Sequence, residues 1–314
     1  RYKETDEKKV SAATKVIVKG EGVASVEQGD VNYGTKPDPK AETSTNTEKT
    51  AVIEYKEASS DDTAYSQTVP TAVGNYTVRA TFAETEAYGE AVATTDFSIK
   101  YLETPEPPYT LVGTKGENGY YTSNVVVKPA KGYMISTELN GTYVESLTIQ
   151  NSQSGTVFYL RNASGERTGA LRLETIKIKK QTPKLSLENG KTYYGDSKKL
   201  VIQDDYLSQV YVNGVLQNLD GTEFVLQLGS NNGKKKYEIT AVDVAGNKKT
   251  ILVTVAAAWM KTGIIPEGVL VNLETGNGYK LGNGNWKVAG DSTSYSGGTE
   301  FYVKKDGSYT FGKQ

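Results

Sequence analysis

The sequence predicts an all-β chain of β-sandwiches in tandem, closed by a small C-terminal β module. Three observations carry that expectation. The first is recurring punctuation. Tyr120-Tyr121 and Asn140-Gly141 return as Tyr193-Tyr194 and Asn213-Gly214, each displaced by 73 residues (193 − 120, 214 − 141). Phe158-x-Leu160 with Gly165 returns as Ile239-x-Ala241 with Gly246, displaced by 81, which places an insertion of 8 residues in one loop. Repeats of this length are whole small domains rather than turns of a solenoid. The second is composition: Val, Thr and Tyr recur throughout, with 22 Tyr and 32 Gly against 2 Met. Such β-branched and aromatic residues fit pleated surfaces. The third is periodicity, since no dozen-residue stretch carries an apolar stripe at helical spacing.

A chain of 314 residues exceeds one typical core, so several domains are expected. Arg1–Val10 is charged and reads as a frayed lead-in. The first strand is expected at Thr14–Val18, and the polar span Asp30–Thr50, with Pro37 and Pro39, reads as a long connection. Ala51–Tyr55 is the next strand. In Gly74–Phe82, Tyr76, Val78, Ala80 and Phe82 alternate with polar residues and so bury one face. Asp96–Tyr101 repeats the alternation and closes module I (11–102). Pro105-Glu106-Pro107-Pro108 favours polyproline II and reads as a linker. Module II (109–180) has expected strands at Asn124–Lys128, Ser146–Gln150, Thr156–Arg161 and Leu171–Ile178. Module III (183–255) carries Tyr237-x-Ile239-x-Ala241, matching Tyr76-x-Val78-x-Ala80, and ends on Ile251-x-Val253-x-Val255. Asp243–Asn247 supplies its final hairpin turn, as Asn162–Gly165 does in module II. Module IV (256–314) is Gly-rich and holds both tryptophans. Gly282-Asn283-Gly284-Asn285 and Lys305-Asp306-Gly307-Ser308 read as the turns of two hairpins, Tyr279–Val288 and Phe301–Phe311. About 58 residues (314 − 256) make a marginal core, so this module is expected to pack on module III or to be completed by further sequence.

Gly74-x-Tyr76-x-Val78-x-Ala80, followed by Tyr88, Ala91 and Phe97-x-Ile99, resembles the MBG type of immunoglobulin-like (Ig-like) repeat domain of Gram-positive surface proteins. Module III, with Asp205-x-Leu207-x-x-Val210-x-Val212-Asn213-Gly214 and Ala241-x-Asp243-x-Ala245-Gly246-Asn247, resembles a second bacterial Ig-like type. Module II is similar, with Ser164-Gly165 in place of the Ala-Gly-Asn ending. The resemblance covers roughly residues 11–255. It implies tandem Ig-like sandwiches in secreted, wall-associated stalks and adhesins that are seldom enzymes. No LPXTG sorting motif occurs in the chain. In such a sandwich the tyrosine of Tyr-x-hydrophobic-x-Ala fills one end while its hydroxyl reaches backbone or water. The alanine leaves room for the facing sheet.

Composition narrows the chemistry. With 0 Cys and 0 His there are no disulfides, no thiolate metal sites and no histidine-dependent triads. A cysteine-free chain suits a bacterial wall protein. The balance of 36 basic and 37 acidic residues argues against nucleic acid or an anionic membrane as the main partner. No 18-residue apolar stretch is present, so no transmembrane helix and no membrane insertion are expected. The chain opens at Arg1 without an apolar signal segment, and both ends read as cuts within a longer protein. Lys234-Lys235-Lys236 reads as a charged hairpin edge that discourages strand pairing.

Candidate sites are few. Asp204, Asp205 and Asp220 could offer oxygen ligands to Ca²⁺ without EF-hand spacing; the alternative has Asp205 capping the turn before Leu207. Trp286, Tyr279, Tyr295 and Trp259 make the tail aromatic, and aromatic faces stack on sugar rings. The alternative is a core role, because alternation puts Trp286 and Val288 on one face. Glu54, Glu57, Asp61 and Asp62 lie on expected exposed strands or loops, so no paired carboxylates for glycoside hydrolysis are assigned. An intramolecular isopeptide bond would need a buried pair such as Lys128 with Asn162; Lys15 has no obvious partner. No cofactor and no catalytic residue are expected. The expected function is a monomeric, non-catalytic extracellular stalk or adhesin segment, associated with the cell wall or surface, that spaces or presents a binding region. Two alternatives stand beside it. One is a module binding a glycan or host surface protein through the C-terminal aromatics. The other is an accessory Ig-like region of a secreted glycosidase.

Overall fold

The computed structural model describes residues 18–290 and 293–314. The charged lead-in, Lys15 and nearly all of the expected first strand lie outside the described residues. Regular structure among the described residues is strand, apart from single 3-10 turns at Asp62–Ala64 and Ala258–Lys261. The chain divides into two compact units. The first holds module I with residues 109–111, 126–147 and 154–174; the second holds the rest of module II with modules III and IV.

In the first unit, module I is built of β1 (Ala24–Glu27), β2 (Val31–Asn32), β3 (Lys40–Thr43), β4 (Val52–Glu57), β5 (Gly74–Phe82) and β6 (Ala91–Lys100). One sheet runs β2-β6-β5-β4, and β1-β3 form the other. Val26 from β1 packs with Tyr55, Tyr76, Val78, Ala80, Phe97 and Ile99 from the larger sheet. The alternation of β5 therefore falls as the sequence predicts. The span Asp30–Thr50 is not a bare connection, because β2 and β3 lie within it. Lys40-Ala41-Glu42-Thr43 buries so little apolar surface that its strand leaves no hydrophobic pattern.

Module II follows with β7 (Tyr109–Val112), β8 (Tyr120–Tyr121), β9 (Val125–Pro129), β10 (Tyr133–Ser136), β11 (Leu147–Ile149), β12 (Val157–Asn162), β13 (Leu171–Arg172) and β14 (Lys177–Ile178). Leu171–Ile178, expected as one strand, is two. β13 pairs antiparallel with β12 in the first unit, and β14 pairs parallel with β8 in the second.

Module III comprises β15 (Lys184–Leu185), β16 (Thr192–Tyr194), β17 (Ser197–Gln203), β18 (Leu207–Val212), β19 (Val215–Leu216), β20 (Glu223–Gly229), β21 (Lys234–Asp243) and β22 (Lys248–Ala256). Its sheets are β16-β22-β21-β18-β19 and β15-β17-β20. Lys234–Lys236 do not discourage pairing: they open β21 and pair with Thr254–Ala256. One device recurs in all three modules, a two- or three-residue strand running parallel to the last strand. Val31 lies opposite Ile99, Tyr120 opposite Lys177, and Tyr193 opposite Val255. The repeated Tyr-Tyr pairs mark this strand in modules II and III.

Module IV holds β23 (Ile264–Ile265), β24 (Leu270–Leu273), β25 (Gly278–Leu281), β26 (Asn285–Val288), β27 (Ser294–Ser296), β28 (Glu300–Tyr302) and β29 (Gly307–Lys313). Neither expected hairpin forms. β25 pairs with β28, and β26 pairs with β27 and β29, in two separate sheets. The Gly-rich turns carry the chain from one sheet to the other. An isolated two-stranded hairpin is marginal in water, whereas two sheets enclose Leu281, Trp286, Val288, Phe301 and Phe311 in one core. Module IV also docks on module III. Asn272 N–H donates to Asn232 O (3.1 Å) and Ala257 N–H to Gly233 O (2.7 Å).

Candidate functional site

The chain passes from β14 to β15 through residues 179–183. Lys179 fixes this connector. Its N–H donates to Tyr121 O (2.9 Å), which extends the β14–β8 pairing by one residue. Its carbonyl accepts from Asn247 Nδ2 (3.0 Å). Its ammonium donates to Asp204 Oδ2 (2.9 Å) and lies 3.4 Å from Asp243 Oδ2, with side chains 13%, 6% and 0% exposed respectively. Carboxylates so enclosed are costly unless their lone pairs are met. Asp243 Oδ1 accepts the N–H groups of Ala245 and Asn247, and Asn247 Nδ2 donates to Oδ2. Asp204 Oδ1 accepts Tyr206 N–H (2.8 Å). Burial pulls the Lys179 pKa down, but the hydrogen bond and charge of Asp204 and the charge of Asp243 outweigh it. The pKa therefore lies above the usual lysine value and the group stays charged.

The Asp243–Asn247 turn also grips module II. Ala245 O accepts Glu117 N–H (2.9 Å), and Val244 O accepts from Asn118 Nδ2 (2.8 Å). The approach is so close that a Cβ on Gly116 would lie 2.4 Å from Ala245 O. The matching turn of module II plays the same part in the first unit. Arg167 N–H donates to Tyr33 O (2.9 Å), and a Cβ on Gly34 would lie 2.3 Å from Gly165 O. Glu166 accepts from Asn32 Nδ2 (3.0 Å) and Asn162 Nδ2 (2.7 Å). Those bonds, Asn162 first, hold its carboxyl below the usual glutamate range. A third contact of this kind seats module IV, where a Cβ on Gly233 would meet Asn272 O at 2.1 Å.

Two surface clefts flank the 179–183 connector. One, of about 340 Å³, is polar and includes Lys184, Gln203, Asp204, Asp205 and Glu223. The other, of about 430 Å³, is bounded by Tyr120, Tyr206, Lys177, Lys180, Gln150 and Asn151 among others. The Tyr120 and Tyr206 rings stand 6.5 Å apart at 52°. Lys177 Nζ sits 5.5 Å from the Tyr120 ring centre, and Lys179 Nζ 6.0 Å from that of Tyr206.

The residues singled out from sequence fall in three places. Asp204 and Asp205 both line the polar cleft. Asp204, not Asp205, caps the turn, since Asp204 takes Tyr206 N–H; Asp205 is exposed. Asp220 is exposed and lines neither cleft. Among the described residues, no group of three or more Asp or Glu is placed to hold a metal ion. Trp286 is 2% exposed, with Nε1 donating to Gly282 O (2.7 Å). Trp259, Tyr279 and Tyr295 are half-buried against the same core. Trp259 and Tyr279 meet edge to face at 5.6 Å. Lys128 is exposed and the Asn162 amide is bonded to Glu166, so they do not form a buried reactive pair. Sequence reasoning missed Lys177, Lys179 and Tyr206 altogether. It used Tyr120 only as a repeat marker.

Strand order and junctions define the class of molecule: an all-β chain of Ig-like sandwiches joined through tight turns. No helix among the described residues is long and apolar enough to cross a membrane. No family model matches the chain. Part of it is 28% identical over 115 residues to Bacillopeptidase F of Bacillus subtilis (strain 168), a match spanning 34% of this chain and 8% of that protein. Among solved structures, the chain is similar to the SGBP-B protein of a Bacteroides ovatus mixed-linkage glucan utilization locus. The identity is 12%, covering 99% of this chain and 93% of that one, with a TM-score of 0.19. It is also similar to the sialic acid binding region of a Streptococcus sanguinis SK1 adhesin (12% identity, 78% and 80% covered, TM-score 0.23). Three N-terminal domains of the bacteriophage RB49 Hoc capsid protein give 10% identity, 75% and 99% coverage and a TM-score of 0.28. Scores this low transfer no function.

Proposed function

We propose that this chain is a non-catalytic segment of a bacterial protein outside the cell, in which Ig-like sandwiches hold a binding region away from the cell wall. The observation that carries this reading is the packing of the junctions. Each is closed by main-chain hydrogen bonds and by a glycine whose position admits no side chain. The connector at Lys179 adds an enclosed ion pair. A spacer must resist bending where its modules meet, and such contacts leave a junction little freedom. The resemblance of Gly74–Ile99 to MBG-type repeats and the absence of cysteine from 314 residues favour a Gram-positive surface protein. We take the segment to act as a monomer.

Residual dipolar couplings from the 314-residue chain test the reading. Amides of residues 112–125, 148–153 and 175–178 and those of module III should fit one alignment tensor. Separate tensors for these module II residues and module III would mean a hinge at the connector and would end the spacer proposal. The likeness to a short part of Bacillopeptidase F favours a second reading, in which the segment accompanies a secreted enzyme. The sequence flanking it in the full gene decides between the two.

A further inference from the structure

We propose that the 430 Å³ cleft beside β8 and β14 binds a saccharide carrying a carboxylate. This goes beyond the spacing role and does not depend on it. The cleft's size falls within the range of small-molecule sites, roughly 300–1,000 Å³.

Shape gives the first argument. Tyr120 and Tyr206 form two walls inclined at 52° with centres 6.5 Å apart. Tyr206 is 55% exposed, so its ring face is open to a ligand. Yet its backbone is pinned: its N–H donates to Asp204 Oδ1 (2.8 Å) and its carbonyl accepts Val244 N–H (2.8 Å). The main chain that carries the ring is thus fixed, which lowers the ordering cost of binding. A pyranose presents a flat face of C–H bonds to such a ring and hydroxyls at its edge.

Charge gives the second argument. Lys177, Lys179 and Lys180 all border the cleft. Lys179 is matched by Asp204 and Asp243. Lys180 Nζ holds two neutral acceptors, Asn124 Oδ1 and Gln150 O, each at 2.8 Å. These orient its ammonium without cancelling the charge. Lys177 is exposed, sits against the Tyr120 ring, and pairs with no carboxylate among the described residues. Against these two cations stands Asp205 alone. The balance favours an anion. The exposed amides of Gln150, Asn151 and Gln181 supply the mixed donors and acceptors that hydroxyl groups need.

The test uses the whole chain, labelled with ¹⁵N, and three kinds of probe. These are carboxylated saccharides (tri-galacturonate and sialyllactose), uncharged ones of matching length, and a glutamate-rich peptide. At least one carboxylated saccharide should shift Tyr120, Asn151 and Tyr206 resonances. Its affinity should exceed that of its uncharged counterpart by about tenfold or more. Tyr206→Ala should weaken binding by about tenfold or more, as a lost aromatic anchor does, and Tyr206→Phe should keep it. Lys177→Gln should reduce the preference for the charged sugar. Both side chains are exposed, so melting temperatures should hold and a folding defect is excluded as the cause. Shift patterns tell a uronic acid from a sialic acid. The proposal is overturned if neither carboxylated saccharide binds at millimolar concentration, if the shifts map elsewhere, if the peptide binds as tightly, or if Tyr206→Ala changes nothing.

Discussion

Tyr76, Tyr143 and Tyr237 each turn a ring into a core and a hydroxyl back to the main chain. They donate to Ala72 O (3.0 Å), Leu139 O (2.9 Å) and Gly229 O (2.7 Å) respectively. All three are buried. Tyr237→Phe removes one hydrogen bond and should cost about 1 kcal/mol. Tyr237→Ala also empties the ring's space and should cost about 3–5 kcal/mol. Chemical denaturation of the two variants checks both figures; a Phe loss as large as the Ala loss would mean that packing of the ring contributes nothing. Tyr76 and Tyr237 were legible because Tyr-x-hydrophobic-x-Ala announces a half-buried strand with an aromatic end. Tyr143 lacks that pattern and shows its role only in three dimensions. Lys179 was illegible for a different reason. Its partners Asp204 and Asp243 lie 25 and 64 residues downstream (204 − 179, 243 − 179), and local periodicity carries no information about a pair brought together by sheet topology. Trp286 shows the converse: the sequence left it between a sugar-stacking role and a core role shared with Val288, and it lies in the core, 2% exposed.

Element by element, legibility followed visible alternation more than length, since the seven-residue β17 and β20 went unread. β5, β21 and β22 run 9, 10 and 9 residues, and display their alternation along β5, over Tyr237–Ala241 and over Ile251–Val255. Strands of two residues, such as β2, β13 and β14, have no period to display. In module IV the Gly-rich turns were found but their geometry was not. A turn that reverses a strand within one sheet and a turn that crosses to another sheet use the same residues. Enclosure of Trp286 decides between them. Turns also set the behaviour of the first unit in acid. The turn after β12 presents Glu166 to Asn32 and Asn162, and its folded pKa is lowered from the usual 4.5. A lowered carboxylate contributes stability that is present above the unfolded value and lost as pH falls through the folded one. Contacts between Tyr33 and Arg167 should therefore loosen below about pH 4.5. Chemical shifts of their amides, followed from pH 6 to 3 at constant salt, should change with the Glu166 titration. Glu166→Gln should remove that component. An unchanged profile in the variant would mean that another acid governs the contact.

At the scale of the molecule, the proposed spacer role needs junctions as firm as the sandwiches, and three close-approach glycines mark where the modules meet most tightly. Gly34, Gly116 and Gly233 each leave room for a facing carbonyl within 2.1–2.4 Å of where a Cβ would stand. Gly116 and Gly233 are not left-handed, so their only demand is space, and Gly116 is the one that faces the turn beside the connector. A methyl there would meet Ala245 O at 2.4 Å and Thr122 Cγ2 at 2.8 Å. Relieving the methyl means parting the Gly116 loop from the Asp243–Asn247 turn, which also strains the bond from Asn118 Nδ2 to Val244. Gly116→Ala should thus leave the core of module III folded while freeing the junction. Its residual dipolar couplings should require separate tensors for residues 112–125, 148–153 and 175–178 and for module III, where the native chain is expected to need one. The melting temperature of module III should fall by no more than a few degrees, since its core residues Leu200, Val210, Ile239 and Ile251 are untouched. Gly312→Ala serves as the control, because nothing lies within 4 Å of its Cβ position. It should keep the single tensor, and its stability should hold or rise slightly through a less flexible unfolded chain. If Gly116→Ala also keeps one tensor, the glycine contact is not what fixes the junction. The firmness would then reside in Lys179 and its two carboxylates.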